Sequence, residues 1–406
     1  MYIFVGLLYS EVRRQQIIKE VKTALESAAN TYQWGLLHGL QNVTDEQIEI
    51  INSVPMGSFP KQSKILKEKA TVEEENGFTI DNIGYWNFPI IKQYQRSRGL
   101  YKRICKIVKN TNQPVTVVLY SLYYPYLKAL DKLKKKYSHF QYIVIVPDLP
   151  CEYGIESPNK IKRWINRKLG YKSLAFAEKA DGYIFLTEYM SDVINKKNRP
   201  YEIIEGIGRA GKISTVEFES GEKPIILYTG TLDKVFGIRT LLEAYLCLPE
   251  NSAELWIAGA GDAQDELKEI SARNKNIKFF GYCTKEKVFE MQNKASILVN
   301  PRPGKDEYTK YSFPSKTMEY LSTGKPVAMN RLPGIPKEYE EHVFFFKEET
   351  PASMAETFNL IFNLSSMELA ERKEKQQDFI QNQKCSNVQA QKIVKLKNEY
   401  FSKDIQ

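Results

Sequence analysis

Apolar residues recur along the chain in short blocks separated by longer amphipathic stretches. In the first half the blocks are YIFVGLL, QIEIINSV, PVTVVLY, QYIVIVP, GYIFLT and YEIIEG; in the second they are PIILYTG, AELWIAG, IKFFGY, SILVNP, KPVAMN and VFFFK. Short runs rich in β-branched and aromatic residues and bounded by polar or glycine-containing segments predict buried strands. Between them apolar positions return at helical spacing. This predicts a long helix from Glu11 towards Leu40 and further helices over LYKRICKIVKN, YPYLKALDKLKKKY and NKIKRWINRKLGYKSLAFAEKA. Such alternation implies parallel sheets covered by helices on both faces, and 406 residues exceed one ordinary core. The expected architecture is α/β, with two tandem Rossmann-like domains over 1–207 and 224–383. A polar linker, GRAGKISTVEFESGEK, spans 208–223, and a last amphipathic helix within 384–406 returns to the first domain. Two such domains enclose an inter-domain cleft at the carboxyl ends of their strands, where ligands bind in this architecture.

Composition narrows the class. A hydrophobic content of 42% with 12% aromatics suits a folded globular chain. The opening MYIFVGLLYSEVRR places its charges after a short apolar run, the reverse of a signal peptide, and no apolar run reaches membrane-spanning length. Cys105, Cys151, Cys247, Cys283 and Cys385 are odd in number and form no CxxC pair, so reduced cytosolic thiols are expected, with neither a disulfide framework nor a zinc site. Charge is uneven: residues 1–200 hold 30 Lys and Arg against 19 Asp and Glu, and residues 201–406 hold 28 against 30. The basic half therefore faces a different partner from the other.

Candidate chemistry concentrates in KYSFPSKTMEYLSTGKPV, residues 310–327. Ser312 is positioned to cap a helix with Pro314 in its first turn, and Gly324 and Pro326 end that helix. The N–H groups of Ser315 and Lys316 then face an anion, and Glu319 shares a helix face with Lys316 one turn on. A phosphate beside Lys316 and a hydroxyl-rich group beside Glu319 would satisfy both; a plain exposed ion pair is the alternative. Gly230 in LYTGTLDKVFGI, and Gly259 and Gly261 in IAGAGDAQDEL, follow strands as phosphate-binding loops do, although βα turns use glycine in any case. Arg302, just past the buried SILVNP block, either clamps a diphosphate or is simply solvated. His38, within LLHGL, suits a helix surface or core better than catalysis.

In order and spacing these residues resemble family 4 glycosyltransferases of the GT-B fold. The motifs that carry the resemblance are YTGTLDKVFGIRTLLEAY, LWIAGAGDAQDEL, IKFFGYCTKEKV and YSFPSKTMEYLSTGKPV, with AANTYQWGLLHGL and YSLYYPYLKALDKLKK in the first half. The FPSK before the helix glutamate is similar to bacterial capsule and exopolysaccharide members. The resemblance implies transfer of a sugar from a nucleotide-sugar donor, usually with retention and without a metal or other cofactor. It implies a donor site in the second domain and an acceptor site in the first. Glu319 matches the second glutamate of the family's Glu-x7-Glu motif, which contacts the nucleotide ribose. Ser315, Lys316 and Thr317 match the segment that wraps the donor, and Tyr282 falls where main-chain groups hold the base. Glu205 and Gly206 match a turn that commonly reads Asn-Gly. The motif's first glutamate is Tyr311 here. The family's Arg and Lys that neutralise the diphosphate are Thr231 and Phe236, and its His-Asp reads Pro147–Asp148. Lys316, Arg302 and Lys234 are the cations available to compensate, and Asp148 is the candidate to face the sugar.

The basic half leaves three readings open. Lys92 to Lys136 contains twelve Lys and Arg and one acid, Asp131; KIKRWINRKLGYK (160–172) contains six and none. The stripe of Ile161, Trp164, Ile165 and Leu169 can pack into the domain's own core, which is the expectation here, or lie on an anionic bilayer. Nucleic acid is not expected as a partner, because no binding motif accompanies the charge. The expected activity is transfer from a nucleotide sugar to a lipid-linked saccharide acceptor in surface polysaccharide synthesis, in a cytoplasmic protein peripheral on the membrane's inner face. A nucleotide-sugar epimerase, a glycoside phosphorylase and a non-catalytic nucleotide-sugar binder remain as alternatives.

Overall fold

The computed structural model describes residues 1–21, 27–150, 160–209 and 223–403. The chain divides into two compact units, Met1–Ile207 with Ser386–Gln406, and Gly208–Cys385. Most of the stretch read as a linker, 210–222, lies outside the described residues, and Gly208 is already bridged to Cys385 within the second unit.

The first unit contains β1 (Tyr2–Gly6), α1 (Glu11–Glu20), α2 (Ser27–Val43), β2 (Ile48–Asn52), β3 (Lys67–Glu68), β4 (Thr71–Glu75), β5 (Phe78–Asn82) and β6 (Tyr85–Trp86). It continues through α3 (Pro89–Lys109), β7 (Val115–Tyr120), α4 (Tyr124–Lys134), β8 (Phe140–Val146), α5 (Lys160–Ala177), β9 (Gly182–Phe185), α6 (Tyr189–Ile194) and β10 (Tyr201–Ile203). Eight strands form one sheet in the order β10-β9-β8-β7-β1-β2-β5-β4, parallel except for the β4–β5 hairpin at one edge. Every residue of β1, β7 and β8 is buried, as expected for central strands covered on both faces. The exposed edge is β4, whose Glu73, Glu74 and Glu75 discourage further strand pairing.

The second unit contains β11 (Ile225–Thr231), α7 (Ile238–Leu246), β12 (Glu254–Ala260), α8 (Gln264–Arg273), β13 (Ile277–Phe279), α9 (Lys285–Lys294) and β14 (Ile297–Asn300). Then follow α10 (Ser315–Leu321), β15 (Val327–Met329), β16 (Phe344–Phe345), α11 (Pro351–Phe362) and α12 (Ser366–Phe379). Its six strands are all parallel, in the order β13-β12-β11-β14-β15-β16. The last helix, α13 (Ser386–Lys403), puts Ala390, Ile393 and Leu396 into one apolar cluster with Leu36, Leu37 and Leu40 of α2. Burying side chains of this size contributes roughly 1.5–3 kcal/mol each, which ties the end of the chain to the first unit.

Three expectations change. The helix foreseen from Glu11 to Leu40 is two helices, because α1 ends at Glu20 with Val21 in extended backbone. The proposed cap of the 315–321 helix is displaced: Pro314 occupies the N-cap position without a side-chain cap bond, and Ser312 points elsewhere. The apolar stripe of α5 does not enter the core. Ile161, Trp164 and Ile165 are 72%, 57% and 45% exposed, while the helix buries Gly170, Ser173 and Ala177 instead. Small residues at that spacing allow close backbone packing, which leaves the bulky first two turns outward. No helix among the described residues is long and apolar enough to cross a membrane.

Candidate functional site

Parallel strands deliver their following loops to one edge of the sheet, so the site candidates of the second unit converge at the carboxyl ends of its strands. β11 ends at Gly230 and Thr231, paired with Gly259 and Ala260 of β12. The Tyr228 hydroxyl donates to the Thr231 carbonyl at 2.7 Å. Burial pushes the Tyr228 phenol well above its usual range, with the Asp233 charge adding to the shift and the Arg302 charge opposing it. Arg302 is therefore an electrostatic neighbour of the β11 exit.

Arg302 itself follows β14 by two residues. Its Nη2 donates to Ser312 Oγ at 3.1 Å, and its guanidinium carbon lies 5.0 Å from the Tyr308 ring centre and 5.5 Å from that of Phe236. Its Nε and the Tyr308 hydroxyl are buried without a hydrogen-bond partner. The backbone beneath is fixed from two sides. Asn330 Nδ2 donates to the carbonyls of Pro301 and Arg302 at 2.9 and 3.1 Å. Gly237, at φ +80°, packs so closely that a Cβ there would lie 2.2 Å from the Pro301 carbonyl oxygen.

On α10, Lys316 Nζ lies 3.0 Å from both oxygens of Glu319, and the buried Gln292 of α9 donates to Glu319 Oε1 at 2.6 Å. Lys316 and Glu319 are 33% and 40% exposed, so their pair contributes at most about 1 kcal/mol and yields readily to a stronger anion. Ser315 is exposed, whereas Thr317 is fully buried with Oγ1 3.6 Å from the Met329 sulfur, so only its backbone is available to a ligand. Tyr320 anchors the helix: its hydroxyl accepts from the Thr229 N–H at 2.9 Å and lies 3.1 Å from the Thr229 carbonyl oxygen.

The remaining candidates are exposed. Lys234 is exposed, 3.9 Å from Glu266, with its backbone N–H donating to Asp262 at 2.8 Å. Tyr282, beyond β13, is 76% exposed. Asp148 belongs to the other unit, where it is exposed two residues past β8. Among the described residues no three His, Cys, Asp or Glu side chains group as metal ligands. The structure thus brings Arg302 beside the loop that follows β11 and pairs Lys316 with Glu319. It adds Tyr308 and Gln292, which sequence spacing does not reveal, and sets Phe236 and Ser312 against Arg302.

Loops gathered at the carboxyl edge of an open parallel sheet are where ligands bind in α/β folds, although the fold alone names no activity. Residues 223–363 match the family model described as "Glycosyl transferases group 1", and the chain is a glycosyltransferase of the GT-B fold. Over 99% of both chains it superposes on sucrose-phosphate synthase from Thermosynechococcus elongatus, with a TM-score of 0.66 at 15% identity. The starch synthase IV catalytic domain from Arabidopsis thaliana, bound to ADP and acarbose, gives 0.66 at 8% identity, again over 99% of both chains. The lipopolysaccharide outer core galactosyltransferase WaaB gives 0.59 at 13% identity, covering 99% of this chain and 100% of that one. At such identities the likeness is one of fold. No curated protein sequence matches the chain.

Proposed function

We propose that the protein transfers a sugar from a nucleotide-sugar donor to a saccharide acceptor, with Arg302 meeting the donor's diphosphate. The observation that carries this reading is the Arg302 guanidinium, fixed at the exit of β14 by Ser312, Phe236 and Tyr308, with its buried Nε unpartnered. As the bond from the anomeric carbon to the diphosphate oxygen breaks, negative charge grows on the leaving nucleoside diphosphate. A fixed guanidinium lowers that barrier without reorganising. Lys316 joins it by leaving Glu319, whose carboxylate then accepts from ribose hydroxyls. Side-chain cations take the part that a metal plays in other transferases.

The finer reading follows from the resemblance of FPSK and its neighbours to family 4 members that build capsules and exopolysaccharides: a retaining transferase acting on a lipid-linked acceptor at the inner membrane face. The exposed Ile161, Trp164 and Ile165 support it, lying on a helix that also carries Arg163, Arg167 and Lys168. Lys168 Nζ lies 3.9 Å from the Trp164 ring centre, an arrangement suited to an anionic lipid surface. Arg302→Gln is expected to cut transfer about 10²-fold with an unchanged circular dichroism spectrum, the size of effect a clamp on developing charge produces. Wild-type kcat/KM in this variant would contradict the assignment.

A further inference from the structure

An arginine on a loop gives up rotamer entropy when it is fixed, so a guanidinium that must be ready for a ligand needs something to hold it. Arg302 is held chiefly by aromatic rings. Phe236 closes a 3-10 turn, Lys234–Phe236, after β11; Tyr308 lies in another, Glu307–Tyr311, after β14. β11 and β14 are neighbouring strands, so the two turns reach Arg302 from adjacent loops.

Each turn is itself anchored. Gly237, next to Phe236, packs against Pro301, the residue before Arg302. Thr309, next to Tyr308, is fully buried with Oγ1 2.9 Å from the Gly304 carbonyl oxygen and 2.6 Å from that of Asp306. Ser312 Oγ, which accepts from Arg302, donates to the Tyr308 carbonyl at 3.3 Å and closes the loop on its own base. Both rings therefore have fixed positions before any ligand arrives.

We propose that Phe236 and Tyr308 are positioning residues that hold the Arg302 guanidinium in the orientation that receives the donor's diphosphate. The inference rests on the functional reading above, in which Arg302 is the diphosphate's cation. A guanidinium offers its N–H groups only in its plane, and bidentate contact with phosphate oxygens demands that edge. Ring contacts attract the cation while accepting none of its in-plane N–H groups, so they restrict its swing and leave to a ligand those that Ser312 does not take. A carboxylate in place of either ring would occupy that edge. A lysine at position 236 would remove one ring and repel the arginine.

The test is a double-mutant cycle on the full chain, read by calorimetric titration with whichever of UDP, GDP, ADP and dTDP the wild type binds most tightly. Phe236→Leu and Tyr308→Leu should each weaken binding about fivefold where Arg302 is present, within the range of a partly desolvated cation–π contact. In the Arg302→Gln background the same changes should cost nothing further, because they act through the arginine. Phe236→Tyr keeps the ring and should keep the affinity. Equal losses in both backgrounds would make the rings ordinary packing and overturn the inference. So would unchanged binding in Phe236→Leu when Arg302→Gln binds weakly. If Arg302→Gln itself binds as tightly as the wild type, the reading of Arg302 as the diphosphate's cation fails, and the inference with it. Should Tyr308→Leu fail to fold, Phe236→Leu decides alone, because Phe236 is half-buried on a surface turn.

Discussion

Arg302 meets its two rings across adjacent loops, 5.0 Å from the centre of Tyr308 and 5.5 Å from that of Phe236. A cation just past a buried strand is visible in SILVNPRP, but the rings that hold it lie in two separate loops, and no local periodicity joins them. The burial of Lys92 and Arg96 is hidden in the sequence for a different reason. They continue the buried stripe of α3 with Leu100, Ile104 and Val108, yet sit in a run of basic residues that reads as solvated surface. Lys92 donates to the Met56 carbonyl at 2.9 Å; Arg96 donates to the Val54 carbonyl and the Tyr85 hydroxyl, each at 2.7 Å. Burial, with the Arg96 charge adding to it, pulls the Lys92 pKa down to about 8, and burial, with Lys373 adding, pulls Lys325 to about 8. Between pH 8 and 10 the unfolded chain thus holds protons at these lysines that the folded chain has released, so stability should rise through that window. Above pH 10 the sign reverses, because burial raises Tyr126, Tyr142, Tyr228 and Tyr320 above their unfolded value of 10 and the unfolded chain ionises first. Urea unfolding across pH 7–11 should show this alkaline maximum, and a Lys92→Met, Lys325→Met double variant should flatten its rising side. An unchanged rise in that variant would remove both lysines from the account.

Among the elements, the uniformly apolar strands were legible, since burial on both faces leaves nothing to disguise them. The stretch from Lys67 to Trp86 was not, because TVEEE and FTIDN are the charged edge of the sheet and lack that signature. Its one clear signal was Asn76–Gly77, which adopts φ of 52° and 79°, as a two-residue hairpin turn requires. Helix α5 was legible as a helix but not in its orientation: the small-residue face of Gly170, Ser173 and Ala177 outcompetes the larger stripe because it allows closer packing. The outward stripe should bind vesicles containing anionic lipid and not neutral ones, with binding falling as salt rises. Changing Arg163, Arg167 and Lys168 to glutamine should remove about 3 kcal/mol of that attraction, near 100-fold in partitioning. Co-sedimentation that ignores lipid charge would rule out this face as the docking surface.

At the scale of the molecule, the chain divides into two compact units that differ in charge. The second unit holds the part that matches glycosyl transferases group 1, and the first unit holds the surplus of basic residues. Fold class was legible because alternation of strands and helices dictates parallel sheets. The identity of the sugar was not, because Tyr311, Thr231 and Phe236 replace the residues by which the resembled family is usually read. The central claim is transfer from a nucleotide sugar, and the most direct test is release of nucleoside diphosphate from a panel of nucleotide sugars, with and without a membrane lipid extract. One donor should be consumed with stoichiometric diphosphate release only when the extract supplies an acceptor, and Arg302→Gln should slow that release about 10²-fold. Conversion of a nucleotide sugar to its epimer with no diphosphate released, or no turnover of any donor with any extract, would contradict it.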